Sequence, residues 1–141
     1  MILLDTNVVS EIMRPTPAQS VIDWLDAQNL ETLYISAITP AEMMFGLAVM
    51  PDSQRKLRLA QSIDKMLDLF EGRILPFDLA AAKRYGDLAA RARRAGRGFP
   101  TPDGYIAAIA ADRGFPVATR DASAFLAGGI VVIDPWSERA S

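Results

Sequence analysis

The chain contains neither cysteine nor histidine, and the two absences remove most familiar routes to hydrolysis. Without thiols there is no disulfide and no thiolate metal cage. Without imidazoles there is no histidine zinc site and no Ser–His or Cys–His nucleophilic pair. Acid–base or metal chemistry must then run through carboxylates, hydroxyls, lysine, arginine or tyrosine. The lack of cysteine agrees with a reducing cytoplasm. Surplus positive charge is missing as well, since the formal net charge is −2. That argues against holding nucleic acid by bulk electrostatics, but not against meeting a few phosphates through a local patch and a bound cation. No apolar run approaches the roughly 18 residues of a membrane span, and the start of the chain has no basic leader region. The expectation is a soluble, cytoplasmic protein with no membrane segment.

What is present is ordinary globular composition: 141 residues, half of them hydrophobic and 23% charged. That is enough for one domain over residues 1–141 with its own core, and no linker, charge run or repeat divides it. Short apolar runs at Met1–Leu4, Leu33–Ser36, Arg73–Phe77, Pro116–Thr119 and Ile130–Ile133 predict five strands. Helical periods follow: Val8–Met13, a stretch from Val21 to near Asn29, one from Thr39 to about Met50, then 53–70, Asp78 to about Ala95, and Thr101 to Gly114. The third of these opens on Thr39-Pro40-Ala41-Glu42, which predicts a capping box with Thr39 as N-cap and Glu42 reaching back to it. Strands alternating with helices imply an α/β fold with a mostly parallel sheet.

Four acids stand out on that scaffold. Asp5 ends the first strand, Glu42 and Asp103 lie in first turns of helices, and Asp121 follows the fourth strand. Each has an ordinary role: Asp5 and Asp121 as caps or turn residues, Glu42 in its capping box, Asp103 against the helix dipole. Their combination says more. In an open parallel sheet, ligands bind beyond the carboxyl ends of the strands, where the strand order reverses. Carboxylates gathered there repel unless a cation compensates. Mg²⁺ suits oxygen ligands and activates water for attack on a phosphodiester.

Leu4-Asp5-Thr6-Asn7-Val8, Glu42 after Ile38-Thr39-Pro40, Pro102-Asp103-Gly104-Tyr105-Ile106-Ala107-Ala108, and Ala118-Thr119-Arg120-Asp121 together resemble a PIN domain. The likeness is to the VapC and FitB kind of toxin from bacterial type II toxin–antitoxin modules, and it covers nearly the whole chain. It implies a three-layer α/β/α fold with a mostly parallel, five-stranded central sheet. It also implies an endoribonuclease dependent on Mg²⁺ or Mn²⁺, with Asp5, Glu42, Asp103 and Asp121 as catalytic and metal-binding acids and Thr119 and Asn7 orienting them or the attacking water. The partners it implies are an RNA substrate, a second copy in a homodimer, and a small antitoxin that carries the assembly onto DNA. Two features depart from the pattern. Ala124 stands where many relatives have an Asp, and Gly104-Tyr105 replaces an Ala-Leu pair, a change expected to alter the substrate groove.

The alternative is a catalytically silent PIN-like module that binds RNA or protein; a DNA-directed nuclease is a third. A phosphoacceptor receiver would want a lysine after a late strand, but the last one is Lys83. A haloacid-dehalogenase-type phosphatase would want an acid at position 7, which is Asn7. Arg91, Arg93, Arg94 and Arg97 form either a solvated helix end or a phosphate-positioning patch. Trp24, Met43, Met44, Phe45 and Phe70 read as core or dimer contacts.

Overall fold

A computed structural model describes residues 1–137; positions 138–141, the end of the expected domain, lie outside the described residues. The elements run β1 (Ile2–Leu4), α1 (Thr6–Ile12), α2 (Gln19–Asp26), a 3-10 turn (Leu30–Thr32), β2 (Leu33–Ser36), α3 (Ile38–Ala48) and α4 (Gln54–Leu69). They continue with β3 (Ile74–Leu75), α5 (Leu79–Arg94), α6 (Thr101–Arg113), β4 (Val117–Ala118), α7 (Ala122–Ala127) and β5 (Val132–Ile133). The five strands form one sheet in the order β3-β2-β1-β4-β5, and every pairing is parallel. The α/β fold with a five-stranded parallel sheet is therefore as expected.

Alternation along the short strands builds the three layers. Leu3 and Val117 face one side, with Ile106, Ile109 and Phe125; Leu4 and Ala118 face the other, with Val8, Trp24, Ile63 and Phe70. Helices α5, α6 and α7 cover the first face, and α1, α2 and α4 the second. Because both faces are covered, the strands are apolar runs rather than half-polar ones. Each large aliphatic side chain so buried contributes about 1.5–3 kcal/mol.

Local chemistry sets the boundaries. Ser53 caps α4 by accepting from the Lys56 amide, and Asp78 caps α5 by accepting from the Ala81 amide. Gly114 ends α6 in the left-handed conformation, φ 70°, which glycine adopts without a Cβ clash. Helix α6 carries five fully or almost fully buried alanines and isoleucines in succession from Ile106 to Ala110, so it lies close against its neighbours.

Three expectations need correction. Helix α3 begins at Ile38 with Ala37 as its N-cap and no side-chain cap bond, so the capping box does not form. Pro40 is still within the first turn, where its missing N–H costs nothing, and the Thr39 hydroxyl is buried and engaged elsewhere. Residues 122–127, to which the sequence pattern assigned no element, form the six-residue helix α7 with Asp121 at its N-cap. Gly104 and Tyr105 do not shape the groove: a Cβ on Gly104 would lie 2.8 Å from the Tyr85 ring, and Tyr105 packs between Phe77 and Tyr85.

Candidate metal-binding active site

The strand order reverses beside β1, which pairs with β2 on one side and β4 on the other. Chain segments diverge there and leave a crevice at the carboxyl edge of the sheet. The register brings its parts together. Leu4 lies opposite Ala118, so the next residues, Asp5 and Thr119, meet across 114 positions of sequence.

Thr119 is the hub. Its buried hydroxyl donates to Asp5 Oδ2 at 2.8 Å and accepts from Asn7 Nδ2 at 3.2 Å and from the Asp121 amide at 3.0 Å. Asp5 Oδ1 accepts from the Thr6 amide at 2.8 Å, so Asp5 is both the N-cap of α1 and a site residue. Asn7 Nδ2 also reaches Asp121 Oδ2 at 3.5 Å, and Asn7 Oδ1 accepts from the Arg120 amide at 3.4 Å. On the opposite wall, Thr6 donates to Glu42 Oε1 at 2.9 Å and lies 2.9 Å from the Thr39 hydroxyl. A hydroxyl has one proton, so Thr39 must be the donor in that second contact. Glu42 is thus held by a hydroxyl pair rather than by its own helix end.

All four predicted acids line this one crevice, together with Thr6 and Asn7. Asp5 is buried, Asp103 half-buried, and Glu42 and Asp121 exposed at the rim. Burial pushes the Asp5 carboxyl up, against the hydrogen bonds from Thr119 and Thr6, and the charges of Glu42 and Asp121 add to the rise. Asp103 is pushed up to about 6, first by burial and then by the charges of Asp5, Glu42 and Asp121. Among the described residues, no three of the acids close into a ready-made cage. Burial and the neighbouring charges both disfavour ionised Asp5 and Asp103, and a cation bound in the crevice would offset this.

Sequence reasoning did not pick out several of the lining residues. Ser10 and Glu11, one turn on from Asn7 along α1, and Arg14, just beyond the helix, also line the crevice; the spacing i, i+3, i+4, i+7 is the signal that finds them. Glu11 is buried and pairs with Arg14 at 3.3 Å. Arg120 and Trp136 complete the wall. None of Arg91, Arg93, Arg94 and Arg97 lines it. Trp24 and Phe70 are core residues, whereas Met44 and Phe45 are exposed.

Residues 2–127 match the PIN domain family. The chain belongs to it. This PIN domain is 50% identical over 137 residues to the VapC ribonuclease Y4jK of Sinorhizobium fredii, covering 96% of this chain and 98% of the relative. It is 44% identical over 139 residues to the toxin FitB of Neisseria gonorrhoeae, covering 98% and 100%. The solved structure of FitAB bound to an IR36 DNA fragment superposes with a TM-score of 0.92 at 44% identity, covering 99% of both chains.

Proposed function

We propose that this PIN domain, one domain over residues 1–141, is the toxin of a type II toxin–antitoxin module and acts in the cytoplasm as a Mg²⁺-dependent endoribonuclease. The observation that carries this reading is the gathering of Asp5, Glu42, Asp103 and Asp121 from four separate segments into one crevice, with Asp5 pushed up by burial and by Glu42 and Asp121, and Asp103 by burial and by the other three acids. Relatives that match almost end to end are named as a ribonuclease and as a toxin, which supports it.

Asp5, Asp103 and Asp121 are the groups that would hold Mg²⁺ or Mn²⁺, with Glu42 as a further ligand or as the group that orients the attacking water. A bound divalent ion supplies positive charge that lets the acids stay ionised together, acidifies water and offsets charge on the phosphate. The chain does the positioning. Thr119 fixes the rotamer of Asp5, Asn7 ties Asp121 to that hub, and Thr6 with Thr39 holds Glu42 across the crevice. In-line hydrolysis at this site would leave 5′-phosphate and 3′-hydroxyl ends.

Partners follow from the surface and the relatives. Exposed Met44 and Phe45 on α3, with Val49 at its C-cap, support a homodimer face. An apolar groove of about 620 Å³, lined by Val9, Ile12, Leu25, Met66, Leu69 and Phe70, supports an antitoxin segment as occupant, and the DNA-bound FitAB structure supports assembly on DNA through that antitoxin. The test is incubation of the purified protein with total RNA and with tRNA, with Mg²⁺, with Mn²⁺ and with chelator. Metal-dependent cuts at defined sites are expected. RNA retained but left intact in the presence of metal would identify the silent binding module instead.

A further inference from the structure

The crevice is lined by five carboxylates, counting Glu11, and by only two cations, Arg14 and Arg120. A strand of RNA brings more negative charge to it. Arg14 is already paired with buried Glu11, which leaves Arg120 as the lining cation without an ion pair among the described residues. Its surroundings make that unexpected. Arg120 lies between Thr119 and Asp121 in sequence, so a flexible guanidinium would ordinarily fold onto a neighbouring carboxylate.

Trp136 prevents this. The Arg120 guanidinium carbon lies 4.7 Å from the centroid of the Trp136 ring, within the range where the cation is held by the π-face. The ring is itself held by packing against the core layer that contains Leu4 and Ala118, with its indole Nε1 buried without a partner among the described residues, and the Trp136 amide donates to Asp134 Oδ1 at 2.9 Å just after β5. Strands β4 and β5 pair in parallel, so the residues after each emerge side by side at the carboxyl edge. The Arg120 amide is tied to Asn7 Oδ1, inside the acid network. A stacked guanidinium presents its in-plane N–H donors sideways, in the fork geometry that fits a phosphate.

We propose that Arg120, stacked on Trp136, is the substrate-binding residue that grips the RNA backbone at a phosphate beside the one being cut, and that Trp136 is a positioning residue acting through it. The inference rests on the ribonuclease reading for its substrate. It differs from a base-stacking role for Trp136, because the ring face is occupied by the protein's own arginine.

The test uses a short fluorescein-labelled single-stranded RNA of mixed sequence, read by anisotropy in chelator and by cleavage with Mg²⁺. Arg120 is exposed, so Arg120→Gln leaves the fold in place, as its melting temperature will record. Losing one charged phosphate contact weakens binding by about tenfold, and the loss falls in KM. Removing one phosphate contact also lowers the slope of log affinity against log salt by about 0.7, which a merely structural role would not move. Arg120→Lys keeps the salt slope while losing the planar fork, so affinity falls with the slope intact. Trp136→Leu weakens binding in the parent protein and has no further effect on Arg120→Gln.

Unchanged affinity and salt slope in Arg120→Gln overturn the proposal. So does a Trp136→Leu loss that is as large without the arginine as with it, since the ring would then be meeting RNA itself. If the parent protein binds the RNA but leaves it uncut with Mg²⁺, the ribonuclease reading fails while the Arg120 effect still stands or falls in chelator. If the parent neither binds nor cuts, both fail.

Discussion

Two clefts of the same volume, about 470 Å³, open at opposite edges of the sheet. The one at the carboxyl edge holds the acids. The other lies at the amino ends of β4 and β5 and is lined by Arg84, Asp87, Arg91, Gly114, Gly128 and Gly129. Size does not tell them apart; wiring does. At the carboxyl edge, hydroxyls and amides from α1, α3 and β4 lock the carboxylates into a shared network. At the amino edge, Arg91 lies so near Gly129 that a Cβ there would sit 2.6 Å from its Nη1, and no acid cluster gathers. Chemistry follows the place where the strand order reverses, not the presence of a hollow.

The sharpest way to break this contrast is Asp5→Asn. The amide keeps an oxygen to cap α1 but loses the charge, so metal-dependent RNA cleavage should fall by about two orders of magnitude or more. Undiminished cleavage by a folded Asp5→Asn protein would remove the site assignment. Next in size is Thr119→Val, which leaves the Asp121 amide and the Asn7 side chain without their acceptor. A cost of about 1–3 kcal/mol in denaturant unfolding is expected, with cleavage lowered roughly tenfold through the loosened Asp5.

Gly129→Ala probes the other edge. Its φ of 87° and the nearby Arg91 Nη1 make a side chain strained there, at a cost of about 1–2 kcal/mol in thermal or denaturant unfolding. Cleavage per folded molecule should not change; a drop would mean the two edges are coupled. Smaller is the effect of pH on the metal-free protein. Asp103 sits at about 6 in the fold against an ordinary 3.8, so the folded state binds more protons than the unfolded chain between these values. Stability is therefore present at low pH and is lost as pH rises through that window. Half-exposed as Asp103 is, the loss is about 1 kcal/mol after screening. Melting temperatures across the window should show it, and Asp103→Asn should flatten the curve. Smallest of all, Arg91→Gln should leave RNA cleavage and its salt dependence as they were, because that side chain faces the amino-edge cleft.

The sequence made the sheet and the four acids legible for definable reasons. Leu3-Leu4 and Val117-Ala118 are apolar on both faces, and buried parallel strands have that signature. Asp5 and Asp121 follow directly on strand ends, and the PIN-like motifs carried Glu42 and Asp103. What stayed hidden depends on partners distant in sequence. Thr39 is an ideal cap by pattern, yet its hydroxyl serves Thr6, 33 residues earlier. Glu11 looks like a solvated helix acid until α1 is docked, and Arg120 on Trp136 requires β4 and β5 to be paired. Gly104-Tyr105 was read toward the groove because it departs from the Ala-Leu pair of many relatives beside Asp103, but a helix turns each successive residue by about 100°, which carries the pair into the α5 packing.

The bond between Thr119 and Asp5 joins residues 114 positions apart in sequence, and this has a consequence for synthesis. During translation Asp5 is made well before Thr119 and Asp121, and it meets neither until β4 has been added and has paired with β1. A nascent or prematurely terminated chain carries the first acid and the second without a crevice to put them in. The order of strands in the sheet thus works as a delay, keeping the acid cluster unassembled until β4 has been made and has paired with β1.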